Sequence, residues 1–150
     1  MGKEIEMIAR LVLVSEGHLL LTKKRSRNYT YLPGGHIEFG ETAAEALNRE
    51  LDEEFGGRAR IGAFLGAAEQ LFSARGKFHH EISLVFWGVL EELQYPQAPQ
   101  VREEELEFVW QPVERLEEAH LLPTAMIPLI QNALVEGQPQ VAPYYSIIEE

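Results

Sequence analysis

Cysteine is absent from the 150 residues, which excludes a disulfide framework, a thiolate nucleophile and a zinc-thiolate cluster. Long apolar runs are missing too. No segment approaches the ~20 apolar residues of a membrane span. The N-terminal MGKEIEMIAR carries acidic residues and no apolar core, so it does not read as a signal peptide. No membrane is expected, and the cytoplasm is the expected compartment. Low-complexity tracts, linkers and internal repeats are also lacking. Positive charge is scarce: 13 Lys and Arg stand against 24 Asp and Glu, a formal net charge of −11. Such a field repels a polyanion, so no nucleic-acid partner is expected. A small phosphate ester is acceptable wherever cations and a local basic cluster offset the acidic surface.

What is present is globular composition, 45% hydrophobic and 25% charged, in a length that suits one domain over residues 1–150. About two thirds of the unfolded surface of such a chain is buried on folding. The organising stretch is GHIEFGETAAEALNRELDEEFGG, Gly35 to Gly57. Leu32-Pro33-Gly34-Gly35 ahead of it is a turn signal, because proline presets φ and glycine accepts positive φ. Thr42 and Glu45 have capping-box spacing, so a helix is expected from Ala43. Ala44, Leu47, Leu51 and Phe55 draw an apolar stripe at helical period, and Gly56 supplies a left-handed C-cap.

At about 100° per residue, Glu50, Glu53 and Glu54 fall in one sector beside that stripe, whereas Glu45 and Asp52 point away. Like charges one turn apart oppose helix formation, so the grouping wants a cation. Hard divalent ions such as Mg²⁺ or Mn²⁺ suit oxygen donors and are held by carboxylates together with substrate phosphates. The competing reading is a solvated helix face, the usual fate of a charge run.

The surrounding residues decide between the two. Gly35, Glu41, Arg49-Glu50-Leu51, Glu53-Glu54 and Gly56 stand in the order G-x5-E-x7-R-E-U-x-E-E-x-G-U, where U is a bulky aliphatic residue. The segment resembles the Nudix box, the signature of the Nudix hydrolases. The one departure, Gly57 in place of the last aliphatic residue, concerns packing after the helix rather than chemistry. The resemblance implies an α/β/α sandwich with a mixed β-sheet. It implies hydrolysis of the pyrophosphate bond in a nucleoside diphosphate linked to another moiety, most simply a nucleoside triphosphate, with Mg²⁺ or Mn²⁺ as cofactor. ADP-ribose and nucleotide sugars are alternative substrates.

By the same resemblance Glu50, Glu53, Glu54 and the backbone carbonyl of Gly34 are metal ligands. Arg49 orients the carboxylates, and Glu50 is the favoured general base. Glu41 sits at the helix entrance, where the dipole favours a carboxylate, and its role is structural. The alternative is a box-bearing domain that binds nucleotides as a sensor without turnover. Retention of every box carboxylate favours catalysis.

The rest of the chain reads as an α+β pattern. Strands are expected over Ile5 to Val14 and His18 to Thr22, joined by a turn at Ser15-Glu16-Gly17. The run Lys23-Lys24-Arg25-Ser26-Arg27 holds four of the 13 basic residues, and Lys23, Arg25 and Arg27 form a candidate phosphate clamp ahead of the glycines. Solubility at a strand end is the plainer explanation. Tyr29 and Tyr31 are candidates to flank a base, or core residues. Long strands are expected over Arg58 to Phe72, with bends at Gly62 and Gly66, and over Phe78 to Leu90.

His79-His80-Glu81 is not a zincin motif, since the second histidine of HExxH would fall at Leu84. The stretch is a candidate cross-strand polar cluster or a lining for the substrate pocket, with Glu81 as the candidate pocket residue. A loop ends in Glu103-Glu104-Glu105, and the family resemblance makes one of them an extra ligand or base, whereas composition alone makes them an exposed charge run. A strand over LEFVWQPV, a short helix from Glu114 to Ala119 and a helix from Pro123 to about Val135, ended by Gly137, complete the domain. The apolar tail residues Tyr144, Tyr145, Ile147 and Ile148 dock onto the domain or onto a second subunit in a homodimer. Specificity belongs to the loops Arg27 to Tyr31 and Phe72 to Glu81.

Overall fold

The computed structural model describes residues 3–148. Strand β1 (Ile5–Val12) continues into β2 (Val14–Ser15), and the chain reverses through Glu16 and Gly17, at φ 46° and 73°, into β3 (His18–Lys24). Next come β4 (Thr30–Tyr31), β5 (Gly34–His36), helix α1 (Ala43–Phe55) and the long hairpin β6 (Arg60–Ala74) and β7 (Lys77–Val89). Strand β8 (Leu106–Pro112) leads through a 3-10 helix (Val113–Ala119) to α2 (Met126–Ala133), β9 (Leu134–Val135) and β10 (Gln138–Pro139).

One sheet has the order β5-β1-β7-β6, with β1 and β7 parallel and the outer pairs antiparallel. In the second sheet β8 runs along one edge of β3, and β2 and β4 share the other. Alternation along the strands sends side chains to two cores. Ala9, Leu11 and Leu13 join Leu20 and Phe86 against Ala43, Ala46, Leu47 and Leu51 of α1. Val12, Leu19, Leu21 and Val85 turn the other way, onto Leu116, Leu121, Met126 and Ile130. Helices therefore cover both sides, which is the expected α/β/α sandwich with a mixed sheet.

Local differences have physical reasons. Leu32 to Gly35 is not the turn; Gly34 and Gly35 already lie in β5, paired with Arg10 and Ala9. The chain reverses later, where Glu41 N–H donates to the Glu38 carbonyl at 3.1 Å and Gly40 takes φ 92°. Glycine at position 34 answers a close approach of strands instead. The stripe of α1 runs through Ala43, Ala46, Leu47, Leu51 and Glu54, with Ala44 off it. The hairpin tip is Arg75-Gly76, and the register slips near Gly62 and Gly66 as expected.

Helix α2 begins at Met126, which puts Pro128 in the first turn, where no intrahelical partner is needed for its missing N–H. Gly137 turns the β9–β10 hairpin rather than capping the helix. In the tail, Tyr144 packs on its own domain against Phe64 and Phe86, both at 5.1 Å, whereas Tyr145, Ile147 and Ile148 are exposed.

The capping box is present in full, with Thr42 Oγ1 accepting from Glu45 N–H at 3.1 Å. Thr42→Ala is expected to cost about 1 kcal/mol, and Leu47→Ala, at the α1 core, about 2–5 kcal/mol. Urea unfolding midpoints check both. Equal losses would show that α1 is held by its cap rather than by its packed face.

Candidate active site

The site is built where α1 lies on β5. A Cβ on Gly34, which has φ 132°, would strike the Ala9 carbonyl, and a Cβ on Gly35 would enter the Glu50 carboxylate. Gly34 thus lets β5 close on β1, and Gly35 lets its backbone run directly beneath Glu50 of the helix. Past the helix, a Cβ on Gly57 would meet the ring of Phe55, which packs edge-on to Phe108 at 5.2 Å. Phe55 thus fills the space an aliphatic residue at position 57 would take, which accounts for the one departure from the motif.

Arg49 is the hub of the outer face. Its Nε and Nη2 donate to both oxygens of Glu41, at 3.1 and 2.7 Å, and Nη2 also reaches the His36 carbonyl at 2.8 Å. Nη1 donates to Glu50 at 3.1 Å and lies 3.5 Å from Glu53 Oε1. Glu41 in turn accepts from Glu38 N–H at 2.8 Å. These bonds hold the Glu41 carboxyl below its usual range and push Arg49 higher still. One guanidinium thereby locks the loop before the helix to two carboxylates on it.

The three box glutamates differ sharply in surroundings. The Glu53 side chain is 52% exposed and that of Glu50 20%, whereas Glu54 is 6% exposed and its Oε2 accepts no hydrogen bond. Burial, followed by the charge of Glu50, pushes the Glu54 carboxyl up to about 8. Burial also raises Glu50, against the lowering bond from Arg49. Among the described residues these three carboxylates do not bring a ligand atom each within 4.8 Å of one another, the one such trio being Glu6, His79 and Glu81. Arg49 draws Glu50 and Glu53 outward while Glu54 turns in.

A second cation, Arg10 of β1, approaches from the sheet. Its Nη1 donates to the Leu32 carbonyl at 3.0 Å, its guanidinium lies over the Tyr31 ring at 5.5 Å, and Glu54, Glu50 and Glu81 all feel its charge. Tyr31 is pushed up to about 12 by burial and then by Glu54. Arg10 has no motif, but a charged residue inside the apolar strand from Ile5 to Val14 was a signal.

Other candidates scatter. Arg25 donates to the Glu104 carbonyl at 2.9 Å and pairs with Glu107 at 3.5 Å, which ties it to β8 and its preceding loop. Lys24 and Arg27 are exposed and Lys23 half-buried. Glu103, Glu104 and Glu105 are all exposed, yet Glu103 alone has a charge felt by Glu54 and Tyr31. The cause is Arg102, whose N–H donates to the Glu54 carbonyl at 2.7 Å and whose side chain reaches the Asp52 carbonyl at 3.2 Å. It pins that loop to the end of α1. Glu81 lies on β7 beside Glu6 and His79.

A helix with one buried, one half-buried and one exposed carboxylate thus lies on a strand that opens with two glycines. A NUDIX domain profile matches residues 6–133, so this chain belongs to the NUDIX family. It is 31% identical over 116 residues to the CTP pyrophosphohydrolase of Escherichia coli, covering 65% of this chain and 85% of that protein. It is 35% identical over 79 residues to a putative 8-oxo-dGTP diphosphatase of Bacillus subtilis, covering 53% of this chain and 50% of that protein, so the match spans about half the length of that relative. The crystal structure of a MutT NUDIX hydrolase from Burkholderia pseudomallei superposes with a TM-score of 0.68 at 22% identity, covering 86% of this chain and 98% of that one.

The elevated Glu54 carboxyl has a stability consequence. Unfolded, it loses its proton near 4.5; folded, it keeps it to about 8. Over that window the native state binds the extra proton, so its stability falls as pH rises. In chelator-treated protein this contribution is expected to reach a few kcal/mol. Glu54→Gln should remove that part of the slope, and an unchanged pH profile of denaturation would refute it.

Proposed function

We propose that this protein is a divalent-metal-dependent pyrophosphohydrolase acting on a nucleoside diphosphate linked to another moiety, a nucleoside triphosphate first among them. The observation that carries the reading is the buried Oε2 of Glu54, without a hydrogen-bond donor inside a carboxylate group. Burying a polar oxygen without a partner costs roughly 1–3 kcal/mol, and a divalent cation relieves that cost. The residues therefore fit Mg²⁺ or Mn²⁺: Glu50, Glu53, Glu54 and the Gly34 carbonyl would hold it. When bound, such an ion neutralises diphosphate oxygens and makes water more acidic.

The remaining steps belong to the chain. Glu50 takes the proton from the attacking water, since burial makes it more basic while the bond from Arg49 keeps it oriented. Arg49 positions Glu50 and Glu53 and is itself braced on Glu41. Arg10 supplies a permanent positive charge next to Tyr31, at the end of the site where the polyphosphate leaves the glutamates. Glu103 is the loop glutamate of choice as an auxiliary base or ligand, with Glu104 and Glu105 set aside. The names of the Escherichia coli and Bacillus subtilis relatives favour nucleoside triphosphates, and residues 1–150 act as a single domain.

The test is turnover of a panel of nucleoside triphosphates, ADP-ribose and nucleotide sugars with Mg²⁺, with products identified so that the broken bond is known. Glu53→Gln and Glu54→Gln are expected to lower kcat by about 10²-fold or more, with circular dichroism unchanged. Undiminished turnover in the variants would remove the catalytic assignment of these glutamates, and no turnover of any substrate by the wild type would leave a nucleotide sensor. Glu103→Gln should lower kcat where Glu104→Gln does not, and equal effects would cancel the preference for Glu103.

A further inference from the structure

Away from the box, β1 and β7 assemble a second set of donors. Glu6 and Glu81 are register partners in the parallel pairing, and His79 lies two residues before Glu81 on the same face. That face is the one opposite α1, since Ala9 and Leu11, of the other parity, pack toward the helix. One ligand atom from each of Glu6, His79 and Glu81 lies within 4.8 Å of the other two, and all three residues are half-buried. None belongs to the box.

The arrangement is held in place. His79 Nδ1 lies 3.1 Å from Glu6 Oε2, and His36 Nε2, on β5, lies 2.9 Å from Glu6 Oε1. The His79 ring stacks on Phe72 at 4.9 Å with 14° between planes, which fixes its orientation. Two carboxylates directly opposite on adjacent strands repel, and both histidines bond Glu6 rather than Glu81, holding the Glu6 carboxyl below its usual range. A cation between Glu6 and Glu81 would offset the repulsion fully.

We propose that Glu6, His79 and Glu81 form a second divalent-cation site, separate from the box and selective for zinc-type ions over Mg²⁺. An imidazole nitrogen with two carboxylates is a donor set for Zn²⁺ and its neighbours, whereas Mg²⁺ prefers oxygen donors throughout. Three protein ligands leave coordination positions open to water or to a ligand on the sheet face. His36 then serves as the outer partner, orienting Glu6 through its other oxygen.

Titration with Zn²⁺ by calorimetry, and with Co²⁺ by visible absorption, tests this in the full chain. The background is the double variant Glu53→Gln, Glu54→Gln, so that failure of the box assignment and failure of this one are told apart. One Zn²⁺ is expected to bind in that background with a Co²⁺ absorption band. Both should vanish with His79→Ala, and affinity should fall about 10-fold with His36→Ala. His79→Gln, with melting curves, serves if the alanine variant fails to fold. Zinc binding that survives both His79 substitutions, or no zinc binding in the background protein, overturns the proposal.

Discussion

A carboxyl group wedged between a helix and a strand sets the terms for this structure. Glu54 occupies the buried stripe of α1, where an apolar residue would stabilise the fold outright, and its oxygen goes without a donor. One turn back, Glu50 has room only because β5 carries glycine at 35, so that backbone, rather than a side chain, lies under its carboxylate. Deleting side chains from a strand and burying a charge in a core are each unfavourable by themselves. Together they set carboxylates beside bare main chain, an arrangement that suits the divalent cation of the proposed function.

Two arginines divide the work of keeping that acidic helix folded. Arg49 is bidentate to Glu41 and reaches Glu50, so the loop from His36 to Glu41 and the helix move as one piece. Lysine has the charge but not the planar fork that satisfies two oxygens and a carbonyl at once. Arg10 works from the other side, seated over Tyr31 and bound to the Leu32 carbonyl. In a chain with net charge −11, these two cations are spent beside the box. The basic run after β3 was the more conspicuous candidate, and its Arg25 is anchored on Glu104 and Glu107 instead.

The helix, its cap, its stop and the long hairpin were legible because each rests on local chemistry. A hydroxyl three residues before a glutamate, a glycine at a left-handed cap and alternation along a strand all act within one turn or one pair. Glu6 and Arg10 belong to no motif, and their one signal, charge inside an otherwise apolar strand, does not say which face of β1 they take or what they meet there. Glu103 was indistinguishable from Glu104 and Glu105 until Arg102 was seen to dock on the end of α1, a contact between segments 50 residues apart. The glycines were read as a turn, since a turn and a close strand approach ask the same thing of a residue, namely no Cβ. Gly57 is the reverse case: Phe55 supplies the bulk that the motif places two residues later.

Chemistry and recognition are thereby separated onto different parts of the fold. Under the proposed function the box engages only what its substrates share, a diphosphate and its cation, because its donors are main chain and carboxylates. Under that proposal discrimination falls to side chains with distinct shapes on the sheet face beyond Arg10: Tyr31, Phe72, His79 and Glu81. That face belongs to strands whose register is fixed by two cores, so its residues sit on rigid elements even though the hairpin tip at Arg75-Gly76 is remote from either helix. A polyphosphate gripped at the glutamates and passing Arg10 would deliver its other end onto this face. On that reading the same cleavage chemistry would serve different nucleotides by changes on β4, β6 and β7 that leave α1 untouched.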